Sequence, residues 1–440
     1  MPGEADIRKE GAVKKAIVVG SGAGGAAAAR SLHGKFDVTI LEAGKPFRPL
    51  KVRLPRIERI KKAGLLFDET LIQPIFPAMR IGKGIDGMIM VSGRATGGTT
   101  TICAGNALRM DSDLKAMGID LDREFDEIYD EIPITSDHRN LWRPTTRRLF
   151  EICEEMGLGP VPTPKMGDYS RCKSCGRCIL GCPNGIKWDS RRYLSQAVEA
   201  GAKLISGNRV ERIVIENDAA TGVISRRGLR RKFYEADLVV LAAGGFGTPV
   251  ILGNSGIECE RRLFVDPVLT VAAEWKGCNQ YREIPMPFVV QCDRYIISPY
   301  FDLLSFFFNK DWKYPASDTL GIMIKLADEA VGGIGNHRIE KILTAVDKER
   351  LEEAVEICRE VLFRLGVRPD KIFLGTVNAG HPGGMMPLTG SEAATLHNSR
   401  LPENVYVADA TLLPQSLGNP PILTIIALAK KIASLCRNNV

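Results

Sequence analysis

The stretch Ala16 to Gly44, AIVVGSGAGGAAAARSLHGKFDVTILEAG, constrains the fold more than any other part of the chain. An apolar run meets a glycine cluster, an alanine-rich segment follows, and a second apolar run ends on Glu42. That order predicts a strand, a tight turn, a helix and a second parallel strand. Gly20, Gly22 and Gly25 fit a G-x-G-x-x-G fingerprint, each for a steric reason. Gly20 permits the sharp turn, Gly22 lets a pyrophosphate approach the backbone, and Gly25 lets the helix pack closely on the strand. The helix N-terminus offers unpaired N–H groups to phosphate charge. Glu42 stands where a carboxylate accepts hydrogen bonds from an adenosine ribose. At this point NAD and FAD both remain open.

A chain of 440 residues is long enough for about two or three domains. Its hydrophobic and charged fractions, 45% and 25%, are those of an ordinary globular protein, and a net charge of +7 suits a solvated surface as well as it suits an acidic protein partner or an anionic substrate. The densest basic run, Arg226 to Lys232, contains Gly228 and lies between two β-like runs, which predicts a hairpin; without interleaved aromatics it gives no reason to expect nucleic acid. No segment reaches the roughly 18 uninterrupted apolar residues of a membrane span. The charged N-terminus leads straight into the first strand, so no signal peptide is expected. Eleven cysteines, an odd number, argue against a disulfide scaffold and for a reducing, cytoplasmic setting.

Residues 45–90 suggest an irregular connection with one or two helices. Ser92 to Arg109, SGRATGGTTTICAGNALR, is rich in Gly and Thr and suits backbone lying against a ligand. Then comes Cys172-Lys-Ser-Cys175-Gly-Arg-Cys178-Ile-Leu-Gly-Cys182-Pro183, the C-x2-C-x2-C-x3-C-P spacing of bacterial ferredoxin loops. Such short spacings let thiolates curl around one iron–sulfur cluster. No second quartet exists, so Cys182 closes a four-iron cluster, leaves a three-iron one, or gives way to Cys153 or Cys103. Structural zinc, which also takes four thiolates, is the main rival, and cysteines that hold no metal are the remaining alternative. Strands are expected over 203–205, 210–215, 222–225 and 236–243, the last running into Ala243-Gly244. Residues 258–370 carry most of the aromatics and predict an antiparallel sheet with helices over a pocket. Asp347 to Gly366 has helical periodicity with Gly366 as its stop. Near the C-terminus NVYVAD is a short strand ending in Asp409, and GNPPILTIIALAKKIA runs from a Gly-Asn-Pro turn into a helix. This remote return of strand and helix favours FAD, whose flavin needs walls from several parts of a chain.

VVGSGAGGAAAA with LEAG, GRATGGTTT, VVLAAGGFGTPVIL with NSGI, AGHPGG, and NVYVADATLLPQSLGNPPILTIIALA together span nearly the whole chain. In these motifs the sequence resembles the glucose–methanol–choline (GMC) oxidoreductases, within them the branch of cholesterol oxidases and cluster-bearing dehydrogenases. The resemblance implies extended FAD, with Glu42 on the ribose, Val210 near the adenine, and Asp409 and Ala410 near the pyrophosphate and flavin. Arg94, Gly97, Gly98, Thr99, Ala243, Gly244 and Pro420 complete the cofactor set. It also implies two residues facing flavin N5: His381 and Asn419. His381 would take the hydroxyl proton while Asn419, also counted as a cofactor contact, fixes the carbinol. The other histidines, His33, His138, His337 and His397, are read as surface or capping residues.

The expected architecture is α/β: a discontinuous Rossmann-like FAD domain (1–110, 190–257, 371–440), a substrate domain built on an antiparallel sheet (111–168, 258–370) and an iron–sulfur loop insertion (169–189). The expected activity is FAD-dependent oxidation of a CH–OH group, or its reverse. Electrons would pass singly through the cluster to a ferredoxin-like carrier or partner subunit, which favours a dehydrogenase over an oxygen-reducing oxidase. The alternative is an electron-transfer subunit with no small-molecule substrate of its own.

Overall fold

The computed structural model describes residues 13–50, 58, 74, 76–335 and 338–438. A five-stranded parallel sheet forms the first layer, in the order 405–407, 238–241, 14–19, 36–42 and 203–206. Its central strand, Lys14–Val19, pairs on both sides: Ala16 lies opposite Leu238 on one neighbour and Val38 on the other. The Val, Ile and Leu runs are continuous because both faces of this sheet are covered. The helix Ala23–Leu32 follows the first strand directly and buries Ala26, Ala27, Ala28 and Ala29. Small side chains let it lie tightly against the returning segment, where a Cβ on Gly24 would stand 1.6 Å from the Ala408 carbonyl oxygen. The C-terminal helix Ile422–Asn438 packs against the same helix and closes the layer.

The second sheet has nine strands, with 268–274, 319–326, 295–299 and 288–291 as its antiparallel centre. The hairpin 79–83/89–93 joins its edge through 378–379. Residues 79–93 and 378–379, placed by sequence in the dinucleotide domain, thus belong to the substrate-side sheet. Backbone pairing, which sequence order does not encode, decides this. The helix Ala345–Leu365 covers the sheet with Leu351, Val355, Cys358 and Leu362 buried. A Thr344–Asp347 capping box starts it, and Gly366 at φ 99° stops it. The basic run is a hairpin, with Arg227 opposite Arg230 in a three-stranded antiparallel sheet.

The cysteine loop lacks regular structure apart from two short 3-10 turns, Tyr169–Arg171 and Cys178–Leu180. It is pinned by close backbone approaches. A Cβ on Gly176 would stand 1.8 Å from the Tyr281 carbonyl oxygen, and the Leu50 amide donates to the Leu180 carbonyl at 3.1 Å. Half of the connection predicted over 45–90, residues 51–57, 59–73 and 75, lies outside the described residues, as does His337. No helix among the described residues is long and apolar enough to cross a membrane.

Candidate active site

A cavity of about 1110 Å³ opens at the C-terminal ends of the parallel strands, the position at which such sheets bind dinucleotides. Gly20, Gly22, Glu42, Arg94, Gly98, Thr99, Val210, Ala243, Gly244, Asp409 and Ala410 all line it. Gly22 forms the open floor, since the nearest neighbour of a Cβ there would be Gly98 Cα at 3.9 Å. A side chain at Gly22 would fill space that the fingerprint reserves for the pyrophosphate. Gly98 faces it with φ 53°, and a Cβ at Gly98 would come within 2.8 Å of Gly22 Cα. Gly25 and Gly97 do not line the cavity. Gly25 packs helix on turn, where a Cβ would stand 2.0 Å from the Gly20 carbonyl oxygen. Gly97 donates its N–H to Ser21 Oγ at 3.1 Å, tying the two glycine turns together.

The Glu42 carboxylate is buried and already accepts three protein hydrogen bonds, from Ser21 N (3.0 Å), Ser21 Oγ (2.5 Å) and Gly44 N (2.6 Å). Two of these fall on Oε2 and one on Oε1, which leaves Oε1 an acceptor site for a ribose hydroxyl. Burial pushes its pKa up, against the pull of those donors. Asp409 is wholly engaged by the chain: Gly244 N (2.8 Å), Thr248 Oγ1 (2.5 Å) and Thr411 N (2.9 Å) donate to it. It therefore shapes the Ala243–Gly244 loop. The glycines and the open acceptor site on Glu42 Oε1 fit an ADP moiety.

A second, mainly apolar cavity of about 300 Å³ adjoins the first. Met79, Ile102, Met286, Tyr300, Phe307 and Met323 are among its walls. Thr99, Cys103, Gly380, His381 and Ile422 line both cavities, so His381 stands in the partition. His381 Nδ1 lies 3.2 Å from Asp266 Oδ2. Asp266 is 1% exposed and also accepts from Lys325 Nζ (2.5 Å), Gly418 N (3.3 Å) and the Ser416 hydroxyl. Burial opposes ionisation of Asp266, but Lys325 and His381 overcome it and bring its pKa down to about 2. An ionised carboxylate only accepts, so the His381 Nδ1 carries the proton and Nε2 is the free lone pair. Burial, with Lys325 adding to it, lowers the His381 pKa, which keeps the ring neutral near pH 7. This is the charge state of a base.

Neither Asp266 nor Lys325 was identified from the sequence. Val268 pairs with Lys325 across the second sheet, and that register alone brings the lysine to the aspartate. No local sequence signal marks Asp266; the structure holds it at a φ of 50°, unusual for a residue other than glycine. Asn419, expected opposite His381, lines neither cavity. It is 1% exposed, its Nδ2 donates to Gln291 Oε1 (3.1 Å) and Leu417 O (3.4 Å), and its Oδ1 is buried without a partner. The Gly-Asn-Pro turn is present, but two prolines follow Asn419 and face the cavities in its place: Pro420 the apolar one, Pro421 the larger one. His138 is likewise not at the surface. It is fully buried, bonded to the Thr163 carbonyl and to Trp142 Nε1, and burial lowers its pKa.

Cys172, Cys175, Cys178 and Cys182 line one small cavity together with Tyr169 and Lys187. The Tyr169 hydroxyl is buried there without a partner. Burial pushes the Cys178 thiol up to about 12 despite the opposing influence of Lys187 and Lys165. The four thiols share this cavity without closing on a single ion: among the described residues no group of three or more His, Cys, Asp or Glu side chains could hold a metal ion. Of the two alternative ligands, Cys153 is buried in the helix Pro144–Glu155, and Cys103 lines the two larger cavities.

A family model described as GMC oxidoreductase matches residues 15–270. An uncharacterized protein of Methanocaldococcus jannaschii is 27% identical over 419 residues, 94% of this chain and 97% of its own length. A GMC-type oxidoreductase of Mycobacterium tuberculosis is 31% identical over 264 residues, and a long-chain-alcohol oxidase of Arabidopsis thaliana 27% over 290. These matches take in 56% and 58% of this chain, but only 40% and 36% of those longer proteins. The crystal structure of pyridoxine 4-oxidase from Mesorbium loti shares the fold, with a TM-score of 0.71 and 18% identity over 96% of this chain and 98% of that one. With the family model spanning more than half of its length, this chain belongs to the GMC oxidoreductase family, whose members are FAD-dependent oxidoreductases.

Proposed function

We propose that the protein oxidises the CH–OH group of an apolar alcohol, or runs the reverse reduction, with His381 as the proton-accepting base. One observation carries the reading: His381 sits in the wall shared by the dinucleotide cavity and the apolar cavity, with Nδ1 held by Asp266. FAD bound in the larger cavity supplies the hydride acceptor, which no amino-acid side chain provides. His381 Nε2 accepts the hydroxyl proton, and the apolar walls hold the carbon chain and exclude water. Asn419 serves as a positioning residue that fixes the Gly418–Pro421 turn. The apolar cavity supports substrate turnover rather than a pure relay subunit. The name of the Arabidopsis relatives, long-chain-alcohol oxidase, agrees with an apolar alcohol.

The reading extends to a metal–thiolate centre at Cys172, Cys175, Cys178 and Cys182. The motif spacing and the shared cavity with its unpartnered Tyr169 hydroxyl support it. A cluster binds each thiolate through its own iron, so the thiols need not converge on a single ion as zinc would require. Two electrons and two protons leave each alcohol, so a one-electron carrier protein would be reduced twice per turnover. The reading therefore favours a dehydrogenase.

The activity test is an anaerobic panel of alcohols of increasing chain length mixed with the holoenzyme, following flavin bleaching. Bleaching by apolar alcohols, abolished in His381→Ala, is expected. Unchanged bleaching in that variant would refute the role of His381. The centre should give iron and acid-labile sulfide after anaerobic purification, both lost in Cys175→Ser with Cys178→Ser. Zinc in their place would overturn it.

A further inference from the structure

Two lysines are buried near the cysteine cavity with no carboxylate partner among the described residues. Lys187 is 3% exposed, and its ammonium donates to the carbonyls of Thr100 (2.9 Å), Thr101 (3.0 Å) and Cys103 (3.0 Å), with Cys103 Sγ 3.6 Å away. Lys165 is fully buried and bonds Asn106 Oδ1 and the Pro285 carbonyl at 2.6 Å. Burying an ammonium without a counter-charge is expensive, and such groups are normally paired. The anion-forming groups that share the cavity with Lys187 are the four thiols and the Tyr169 hydroxyl, and Cys103 Sγ lies beside its ammonium. Lys187 also closes the end of the 3-10 helix Gly98–Ile102, where a cation is favoured. That helix and Cys103 supply Gly98, Thr99, Thr100 and Cys103 to the dinucleotide cavity. Lys187 thus stands between the two redox sites and touches the wall of each.

We propose that Lys187 is a positioning residue that sets the reduction potential of the cysteine centre and braces the wall separating it from the flavin. The inference rests on the metal–thiolate reading above. A metal–thiolate centre becomes more negative on reduction. A fixed positive charge behind it stabilises the reduced form in a region of low dielectric, and its removal makes the centre harder to reduce. Lys187 needs no contact with substrate to do this.

The experiment uses anaerobically purified holoenzyme of the wild type, Lys187→Met, Lys187→Gln and Lys187→Arg. Each is assayed for iron and acid-labile sulfide, and the centre is then titrated potentiometrically by electron paramagnetic resonance. In the neutral variants the ratio of reduced to oxidised centre, read at the wild-type midpoint, should fall by about tenfold, equivalent to about 59 mV for one electron. Lys187→Arg should stay within about threefold of wild type. A neutral variant with full iron and an unchanged ratio would overturn the proposal. If both neutral variants lose iron, retention of the centre and its potential in Lys187→Arg supports a requirement for charge, whereas its loss there assigns Lys187 a purely structural role and overturns the proposal. Wild type without iron or sulfide sinks the metal–thiolate reading itself, a result separate from any shift in potential.

Discussion

Asp266→Asn separates the two things the buried carboxylate does. Asp266 balances the Lys325 ammonium at 2.5 Å and accepts from His381 Nδ1 at 3.2 Å, with both acidic and basic partners buried. Removing its charge strands Lys325, and breaking a buried pair on one side costs about 3–5 kcal/mol. The asparagine can also offer an N–H to Nδ1, so the tautomer with a free Nε2 lone pair is no longer enforced. Loss of a positioned base typically costs about 10²–10⁴-fold in rate. The double variant Asp266→Asn, Lys325→Met distinguishes the effects, because replacing a buried pair by apolar groups is often close to neutral. It should recover most of the lost stability and little of the rate. The pH dependence has a definite sign. Asp266 raises the His381 pKa, whereas Lys325 and burial lower it. In Asp266→Asn the pKa falls further, and the limb that needs neutral His381 moves to lower pH; removing Lys325 as well moves it back up. Anaerobic stopped-flow reduction of the holoenzyme across pH, beside urea unfolding, measures both quantities. A rate within threefold of wild type throughout, or a limb moving upward in the single variant, would refute the assignment of His381 as a base held by Asp266.

Gly98→Ala introduces a Cβ 2.8 Å from Gly22 Cα at a φ of 53°, so a backbone shift is unavoidable. It should cost about 1–3 kcal/mol in urea unfolding and reduce the FAD retained on purification; full FAD content at wild-type stability would contradict the facing-turn geometry. Glu283 is buried, accepting from Thr146 Oγ1 (2.6 Å) and Arg143 N (2.7 Å), and burial raises its pKa to about 7. Its folded pKa lies above the unfolded one, so its contribution to stability is full below about pH 4.5 and is lost as pH rises to about 7, an effect of about 3 kcal/mol. Glu283→Gln should flatten that slope in unfolding free energy measured from pH 4.5 to 7.5, and an identical slope in the variant would show that the carboxyl is not the group responsible.

Local sterics made the dinucleotide layer readable from sequence. Gly20, Gly22 and Gly25 are demanded by the turn and the packing of the following helix, and the strands beside them are continuously apolar because both faces are covered. The cysteine spacing and the helix from Ala345 to Gly366 were legible for the same reason: each depends on residues close together in the chain. Local sequence also located His381. It could not supply the partners that hold His381, because Asp266 and Lys325 lie 115 and 56 positions away: backbone pairing of 264–265 with 381–383 brings Asp266 to His381, and the pairing of 268–274 with 319–326 brings Lys325 to Asp266. Nor could it orient Asn419, whose turn was apparent but whose side chain is drawn toward Gln291 while the prolines after it take the cavity walls. Lys165 and Lys187 look like ordinary surface lysines in the sequence. Only tertiary structure buries both and sets Lys187 beside four thiols, because burial and charge compensation are properties of segments brought together rather than of any one segment.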